Sequence, residues 1–179
     1  MSEIALIVID MISAYDHEDA EALVPSARAA VPAIRKLINR AGAAGADVIY
    51  VNDNLGRWQS NRDELFENAL RGPHPELVEP LRPDRASLFV VKARHSIFYQ
   101  TPLEYLLGQL EVHRIVLSGQ VTEQCILYSA LDAHIRHLDV VVARDAVAHI
   151  DAELGRAALT MMERNMSAAI MTADEVEFS

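Results

Sequence analysis

Three side chains that together could break an acyl bond lie in separate parts of the sequence. Asp10 and Lys92 each follow directly on an apolar run, and Cys125, the only cysteine, lies in a short turn after another. A thiol with a pKa of about 8.5 is only a few per cent thiolate at neutral pH. We expect the Lys92 ammonium and a helix N-terminus at Cys125 to favour the thiolate. Asp10 would accept the thiol proton and later deprotonate a water, and backbone N–H groups of the turn would stabilise an oxyanion.

Six short aliphatic runs, most of them ending at polar or small residues, must position these side chains. Runs without polar alternation are typical of strands buried on both faces, and hence of a parallel sheet. Since ligands bind at the carboxyl ends of such strands, residues that end different runs can converge there. The predicted strands are Ile4–Ile9, Val48–Val51, Leu88–Val91, Ile115–Leu117, Val140–Ala143 and Ala168–Met171.

Helical patterns lie between the strands, and this alternation predicts an α/β domain of three layers with right-handed crossovers. Pro32 predicts a kink or a start within the first helix. Thr101-Pro-Leu-Glu predicts a capping box, and Asp151 an N-cap. The stretch 54–84, rich in Gly and Pro, breaks the alternation and is a candidate functional loop. The predicted helices are Ser26–Ala44, Asn61–Leu70, Thr101–Leu110, Val121–His137 and Asp151–Asn165.

Composition excludes several classes of protein. The chain has 179 residues, of which 51% are hydrophobic, which suits a single domain over residues 1–179. With 16 basic and 26 acidic residues, its net charge of -10 argues against nucleic-acid and membrane partners. It has no apolar run of the roughly 18 residues that span a membrane, so we expect a cytoplasmic protein. No glycine-rich loop follows the first strand, which disfavours nucleotide or flavin binding.

In its ordered motifs the sequence resembles the isochorismatase-like cysteine hydrolase superfamily, which includes nicotinamidases and N-carbamoylsarcosine amidases. The resemblance implies a catalytic triad of Asp10, Lys92 and Cys125. It also implies a non-proline cis peptide before Val121 and an oxyanion hole made of the Val121 and Cys125 N–H groups. The implied fold is a Rossmann-like α/β sandwich whose six-stranded, mostly parallel sheet is flanked by helices, and homodimers or higher oligomers are common. The matching segments are 5–11, 91–92, 96–98, 101–103, 115–126, 130–133 and 140–146.

Two departures from family patterns narrow the expected chemistry. Nicotinamidases have an Asp-x-His…His metal site after the second strand, whereas Asn52–Ser60 contains no histidine. We therefore predict no metal and no cofactor, which argues against nicotinamide as the substrate. Isochorismatases proper lack the cysteine and cleave a vinyl ether by acid catalysis, so Cys125 argues against that reaction.

Four residues near the predicted strand ends are candidates for the substrate pocket: Asp53, Trp58, Phe98 and Tyr99. Loop turns, cover of the core edge and core packing explain these residue types equally well. His95 is the histidine closest to Lys92 and could reach a substrate. His134 and His137 fit an exposed or capping role better than metal binding, and Asp132 with Arg136 predicts a surface ion pair.

The leading hypothesis is a cysteine hydrolase that cleaves a C–N bond, other than a peptide bond, in a small amide or ureide through a thioester. The alternatives are an inert binding or interaction module that kept the fold, and ether hydrolysis of the isochorismatase type. The expected partners are a small-molecule substrate and further copies of the same chain.

Overall fold

Six parallel strands form one sheet in the order β3-β2-β1-β4-β5-β6. The computed structural model describes residues 3–56, 58 and 61–178. All six residues of the central strand β1 are buried, as its unbroken aliphatic sequence requires. The predicted α/β fold and sheet are confirmed, and every strand pair is parallel. The strands are β1 Ile4–Ile9, β2 Asp47–Asp53, β3 Leu88–Lys92, β4 Arg114–Gln120, β5 Asp139–Ala148 and β6 Ala169–Met171.

Helices cover both faces of the sheet and divide the core into two layers. Leu6 and Val8 of β1 face the layer beneath α1, whereas Ile7 and Ile9 face the layer beneath the helices α4 to α6. A π-helical turn, Thr122–Ile126, precedes α5, and a 3₁₀ turn, Glu79–Leu81, follows α3. The helices are α1 Ala20–Ala44, α2 Arg62–Leu70, α3 Pro75–Val78, α4 Leu103–Gln109, α5 Leu127–Ile135 and α6 Ala152–Met166.

The first helix begins earlier than its prolines predict. It starts at Ala20 rather than near Ser26, and both Pro25 and Pro32 lie inside it. Leu23 and Val24 are buried in the core, and this burial outweighs the lost backbone hydrogen bonds. No helix in the described parts of the chain is long and apolar enough to cross a membrane.

The two predicted helix caps have different outcomes. Asp151 caps α6 as predicted, since its carboxylate accepts the N–H groups of Glu153 and Leu154 at 2.8 and 2.9 Å. Only half of the capping box at Thr101 forms: α4 begins at Leu103, whose N–H donates to the Thr101 hydroxyl at 3.4 Å. The Glu104 carboxylate pairs with Arg136 at 2.7 Å instead of reaching back to the helix start.

The segment 54–84 has more regular structure than predicted. Asn61 caps α2 by accepting the N–H of Glu64 at 3.0 Å, which agrees with the predicted helix. The α3 helix and the 3₁₀ turn then follow within the same segment. Leu77, Val78 and Leu81 of these two elements are buried and anchor the segment to the core.

Candidate active site

Three chain-distant side chains meet at the carboxyl edge of the sheet. Asp10 follows β1, Lys92 ends β3, and Cys125 lies in the π-helical turn after β4. Since β2 lies between β1 and β3, the Lys92 side chain must extend past the end of β2 to reach Asp10. Its Nζ lies 2.7 Å from Asp10 Oδ2 and 3.6 Å from Cys125 Sγ. The structure therefore brings the predicted triad residues together.

Asp10 is held by backbone contacts on two sides. Its φ of 54° lies in the left-handed region, which Asp adopts more readily than most residues. Its N–H donates to the Val51 carbonyl at 3.0 Å, and its Oδ1 accepts the Asp53 N–H at 2.8 Å. Asn52 exchanges two side-chain hydrogen bonds with the backbone of Ile12, at 3.0 and 3.1 Å. The end of β2 therefore fixes the chain before and after Asp10.

A second contact to Asp10 was not anticipated from the sequence. The Gln120 amide donates to the Asp10 carbonyl at 2.7 Å and accepts the Tyr15 hydroxyl at 3.2 Å. Gln120 and Tyr15 are both buried, so this pair replaces water as the partner of the Asp10 backbone. The sequence signal was a polar residue, Gln120, at the end of β4.

Lys92 is almost completely buried, with a side chain that is 2% exposed. Its ammonium has three donors, and three acceptors surround it: the Asp10 carboxylate, the Arg94 carbonyl at 3.1 Å and the Cys125 sulfur. A buried ammonium needs such partners, because desolvating it without them is very costly.

The turn that contains Cys125 is anchored to the chain after β5. The Gln120–Val121 peptide bond is cis, the geometry that the family resemblance implies. Thr122 Oγ1 donates to the Ala148 carbonyl at 2.9 Å. Oε1 of Glu123 accepts the N–H groups of Ile150 and Asp151, which directly precede α6, both at 2.9 Å. These contacts fix the turn relative to the sheet edge.

Burial dominates the electrostatics of the three groups. Burial and the negative charge of Asp10 raise the pKa of the Cys125 thiol, whereas the Lys92 ammonium lowers it. The net result is a thiol pKa of about 12. Burial also raises the pKa of the Asp10 carboxyl, although Lys92 opposes this. Burial alone would lower the pKa of Lys92, but the negative charge of Asp10 raises it. Lys92 thus acts in the expected direction, yet burial outweighs it, so the net effect is a raised pKa of the thiol.

His95 also lies beside the sulfur. Its Nδ1 is 3.8 Å from Cys125 Sγ, and its ring is exposed to solvent. The ring packs against Tyr128 of α5 with centroids 5.5 Å apart. Proximity to Lys92 along the chain was the signal that singled out this histidine.

The four predicted pocket residues occupy different environments. Asp53 is half-buried beside Asp10, and its Oδ1 accepts the Leu55 N–H at 2.7 Å. Phe98 is buried in the same core layer as Cys125, whereas Tyr99 and Trp58 are 56% and 79% exposed. Asp53 contacts the triad residue Asp10 through its backbone N–H. A pocket role for the four residues stays a prediction.

Asp132 does more than form the predicted surface pair. Its Oδ1 lies 3.3 Å from Arg136, as predicted, but its Oδ2 accepts the Ser96 hydroxyl at 2.5 Å. Ser129 accepts the Ile97 N–H at 3.1 Å. These bonds tie the loop after Lys92 to α5, the helix that follows Cys125. In the described ranges, no three side chains of metal-binding type form a group that could hold a metal ion.

Comparison with known proteins shows which family this chain belongs to. Residues 4–175 match the isochorismatase domain. The chain belongs to the isochorismatase family. This isochorismatase-family chain is 31% identical over 172 residues to an uncharacterised isochorismatase family protein, YaaI, of Bacillus subtilis, covering 96% of this chain and 95% of that one.

Two further proteins that this chain resembles have named activities. Ureidoacrylate amidohydrolase RutB of Agrobacterium fabrum is 28% identical over 180 residues, covering 83% of this chain and 77% of that protein. The crystal structure of N-carbamoylsarcosine amidase from Thermoplasma acidophilum superposes with a TM-score of 0.76 at 27% identity, covering 99% of both chains.

Proposed function

We propose that this protein is a cysteine hydrolase that cleaves a C–N bond of a small amide or ureide through a thioester on Cys125. One observation carries the proposal: the Cys125 sulfur lies 3.6 Å from an ammonium that is itself 2.7 Å from a carboxylate. A nucleophile, a proton acceptor and a positive charge at one sheet edge are the groups that acyl transfer by a thiol requires.

The thiol loses its proton only when it attacks. Because burial raises its pKa to about 12, little thiolate exists before substrate binds. The Asp10 carboxylate interacts electrostatically with the Cys125 side chain, and burial raises the pKa of that carboxyl, which makes it a stronger base than an exposed carboxylate. The proton passes from Sγ to Asp10 as the sulfur–carbon bond forms. The negative charge of Asp10 thereby moves to the substrate oxygen, and the Lys92 ammonium stabilises it while the proton is transferred.

The backbone N–H groups of Val121 and Cys125 are the proposed donors to the oxyanion. Both belong to the turn that Thr122 and Glu123 anchor, so their positions are fixed before substrate arrives. Such preorganised donors are typically worth a factor of about 100 to 1,000 in turnover. The Val121 donor follows the cis peptide bond.

A small amide or ureide is the substrate class that the relatives favour. A ureidoacrylate amidohydrolase and an N-carbamoylsarcosine amidase both resemble this chain along most of its length. The net charge of -10 disfavours nucleic acid and anionic membranes as partners. We propose that the enzyme acts on a free small molecule, with Asp53, Trp58, Phe98 and Tyr99 near it, and that it works as a homo-oligomer.

A binding module that kept the fold is the second candidate. The buried sulfur and its thiol pKa of about 12 favour it, since an inert cysteine has the same properties. The two candidates differ in one observable, which is whether a covalent adduct forms on Cys125.

The deciding experiment is a panel of small amides and ureides, including N-carbamoylsarcosine and ureidoacrylate, assayed for amine or ammonia release. Intact-mass spectrometry would detect an acyl adduct on the protein. We expect turnover by the wild type and at least about a 1,000-fold loss in C125A and C125S. Unchanged circular-dichroism melts would show that both variants fold. Full activity in either variant would end the proposal, and a panel with no turnover and no adduct would favour the binding module.

A further inference from the structure

Two neighbouring helices present an exposed apolar surface on the outside of the molecule. The helices α5 and α6 pack against each other over the core layer that contains Cys125. Five of the ten large hydrophobic side chains that are exposed among the described residues belong to these two helices, and such clusters mark interaction sites more often than single exposed residues do. Their exposed fractions are 42–60%. These five side chains form the apolar surface: Tyr128, Leu131 and Ile135 of α5, and Leu154 and Met161 of α6.

The spacing of the α5 residues puts them on the side of the helix that faces away from the sheet. Tyr128, Leu131 and Ile135 follow one another at intervals of three and four residues, so they share one side of the helix. Ala130 and Ala133, on the opposite side, are fully buried. A surface helix normally carries polar residues where these three lie. The outer side of α5 therefore has the composition of a side that packs on another protein.

Charged residues lie at the two ends of the outer side of α6. Glu153 and Arg164 are eleven residues apart, which is about three helical turns, so both lie on one side of the helix, and both are exposed. Glu153 is 4.0 Å from Arg156, and Arg164 has no ion-pair partner in the part of the chain that the structure describes. The exposed residues between them on that side, Ala157 and Thr160, are small and uncharged. A second helix can therefore approach α6 closely between an acidic end and a basic end.

We propose that the apolar surface is the interface between two copies of this chain, with each helix antiparallel to its own counterpart. The proposal rests on the homo-oligomer of the proposed function and names its contact face. In a two-fold dimer the same surface serves both copies, so its charges must be complementary when one copy is turned end to end. The charges of α6 meet this condition, because Glu153 of one copy then lies opposite Arg164 of the partner subunit, and the pair occurs twice.

The total charge of the chain makes this local arrangement necessary. Each copy has a net charge of -10, so two copies repel each other unless opposite charges and apolar groups meet where they touch. In the antiparallel arrangement, Leu131 meets Leu131 of the partner subunit, and Tyr128 meets Ile135 of the partner subunit. Apolar contacts then occupy the centre and charged groups the rim, as in other protein interfaces.

The test measures the dissociation constant of the dimer by sedimentation velocity over a dilution series. L131E/I135E places charges in the centre of the apolar surface. L55E is the matched control, because Leu55 is 50% exposed but lies outside the two helices. E153R and R164E each reverse the charge at one end of α6, and E153R/R164E exchanges the two ends. Circular-dichroism melts verify that every variant folds.

We expect the wild type to dimerise, L131E/I135E to be monomeric and L55E to match the wild type. E153R and R164E should each weaken the dimer at least about 10-fold, because each brings like charges together at both ends of the interface. E153R/R164E should return to within about threefold of the wild type, whereas losses of helix stability would add up in the double variant instead of cancelling.

Three results would overturn the proposal. A monomeric wild type would do so and would favour a different protein as the occupant of the apolar surface. An oligomer that L131E/I135E does not weaken would also do so, and it would leave the proposed homo-oligomer standing with another contact face. The third is a double variant E153R/R164E that is as weak as the single reversals. None of these measurements uses turnover, so a failure of the hydrolase function appears separately, in the substrate panel.

Discussion

The buried ion pair between Asp10 and Lys92 makes a quantitative prediction about stability. Removing one partner of such a pair leaves the other charge buried alone, which costs about 3–5 kcal/mol. D10N is the informative change, because Asn tolerates the left-handed φ of 54° and keeps the shape of the side chain. It leaves the Lys92 ammonium, 2% exposed, with the Arg94 carbonyl and the Cys125 sulfur as partners.

The cost should appear as a lower melting temperature. For a chain of 179 residues, 1 kcal/mol corresponds to about 2–4 °C, so D10N should melt roughly 6–20 °C below the wild type.

The K92M variant should lose less stability at acidic pH than at neutral pH. Without the ammonium, the pKa of the buried Asp10 carboxyl rises further above its unfolded value of about 3.9. The native state then holds the proton more tightly, so stability is kept at low pH and lost as pH rises through the native pKa.

The double variant D10N/K92M tests whether the cost in D10N comes from an isolated buried charge. It removes both charges, and its melting temperature should recover to well above that of D10N. Differential scanning calorimetry between pH 5 and 8 measures all four proteins. K36M is the control, because Lys36 forms an exposed ion pair with Asp174 and its loss should leave the melting temperature unchanged. The reasoning is refuted if the double variant melts no higher than D10N, because the cost would then not come from an isolated charge.

Three further predictions concern residues at the same edge of the sheet. Asp10 is the proposed acceptor of the thiol proton during attack, so D10N should slow both turnover and the alkylation of Cys125 by iodoacetamide; an unchanged alkylation rate would contradict this. Lys92 lowers that pKa, so K92M should slow alkylation, and an unchanged rate would remove Lys92 from the control of the thiol. Gly119 has a φ of 110°, and a Cβ there would lie 2.1 Å from a carbonyl oxygen of β1, so G119A should cost more than about 2 kcal/mol in urea unfolding. G42A, where a Cβ meets nothing within 4 Å, should not destabilise the protein, and equal effects would refute the steric argument.

Family resemblance and strand pattern together anticipated that the three side chains converge, but not the direction in which the pKa of the thiol shifts. Asp10, Lys92 and Cys125 each follow an apolar run, and parallel strands end at one edge, so their convergence was open to prediction. The pKa of the thiol was not, because it depends on how much protein surrounds the sulfur. Burial raises the pKa of the thiol more than the nearby Lys92 ammonium lowers it, and the sequence does not show how deeply the sulfur is buried.

The sequence by itself determined the alternation of strands and helices and the three reactive side chains at strand ends. It could do so because an unbroken aliphatic run such as Ile4–Ile9 is stable only when both of its faces are buried. Only the tertiary structure decided that β2 lies between Asp10 and Lys92, that α1 continues through two prolines, and that His95 contacts the sulfur. Each of these features depends on packing between segments that are far apart in the chain. The free energy of such contacts cannot be predicted from the local sequence.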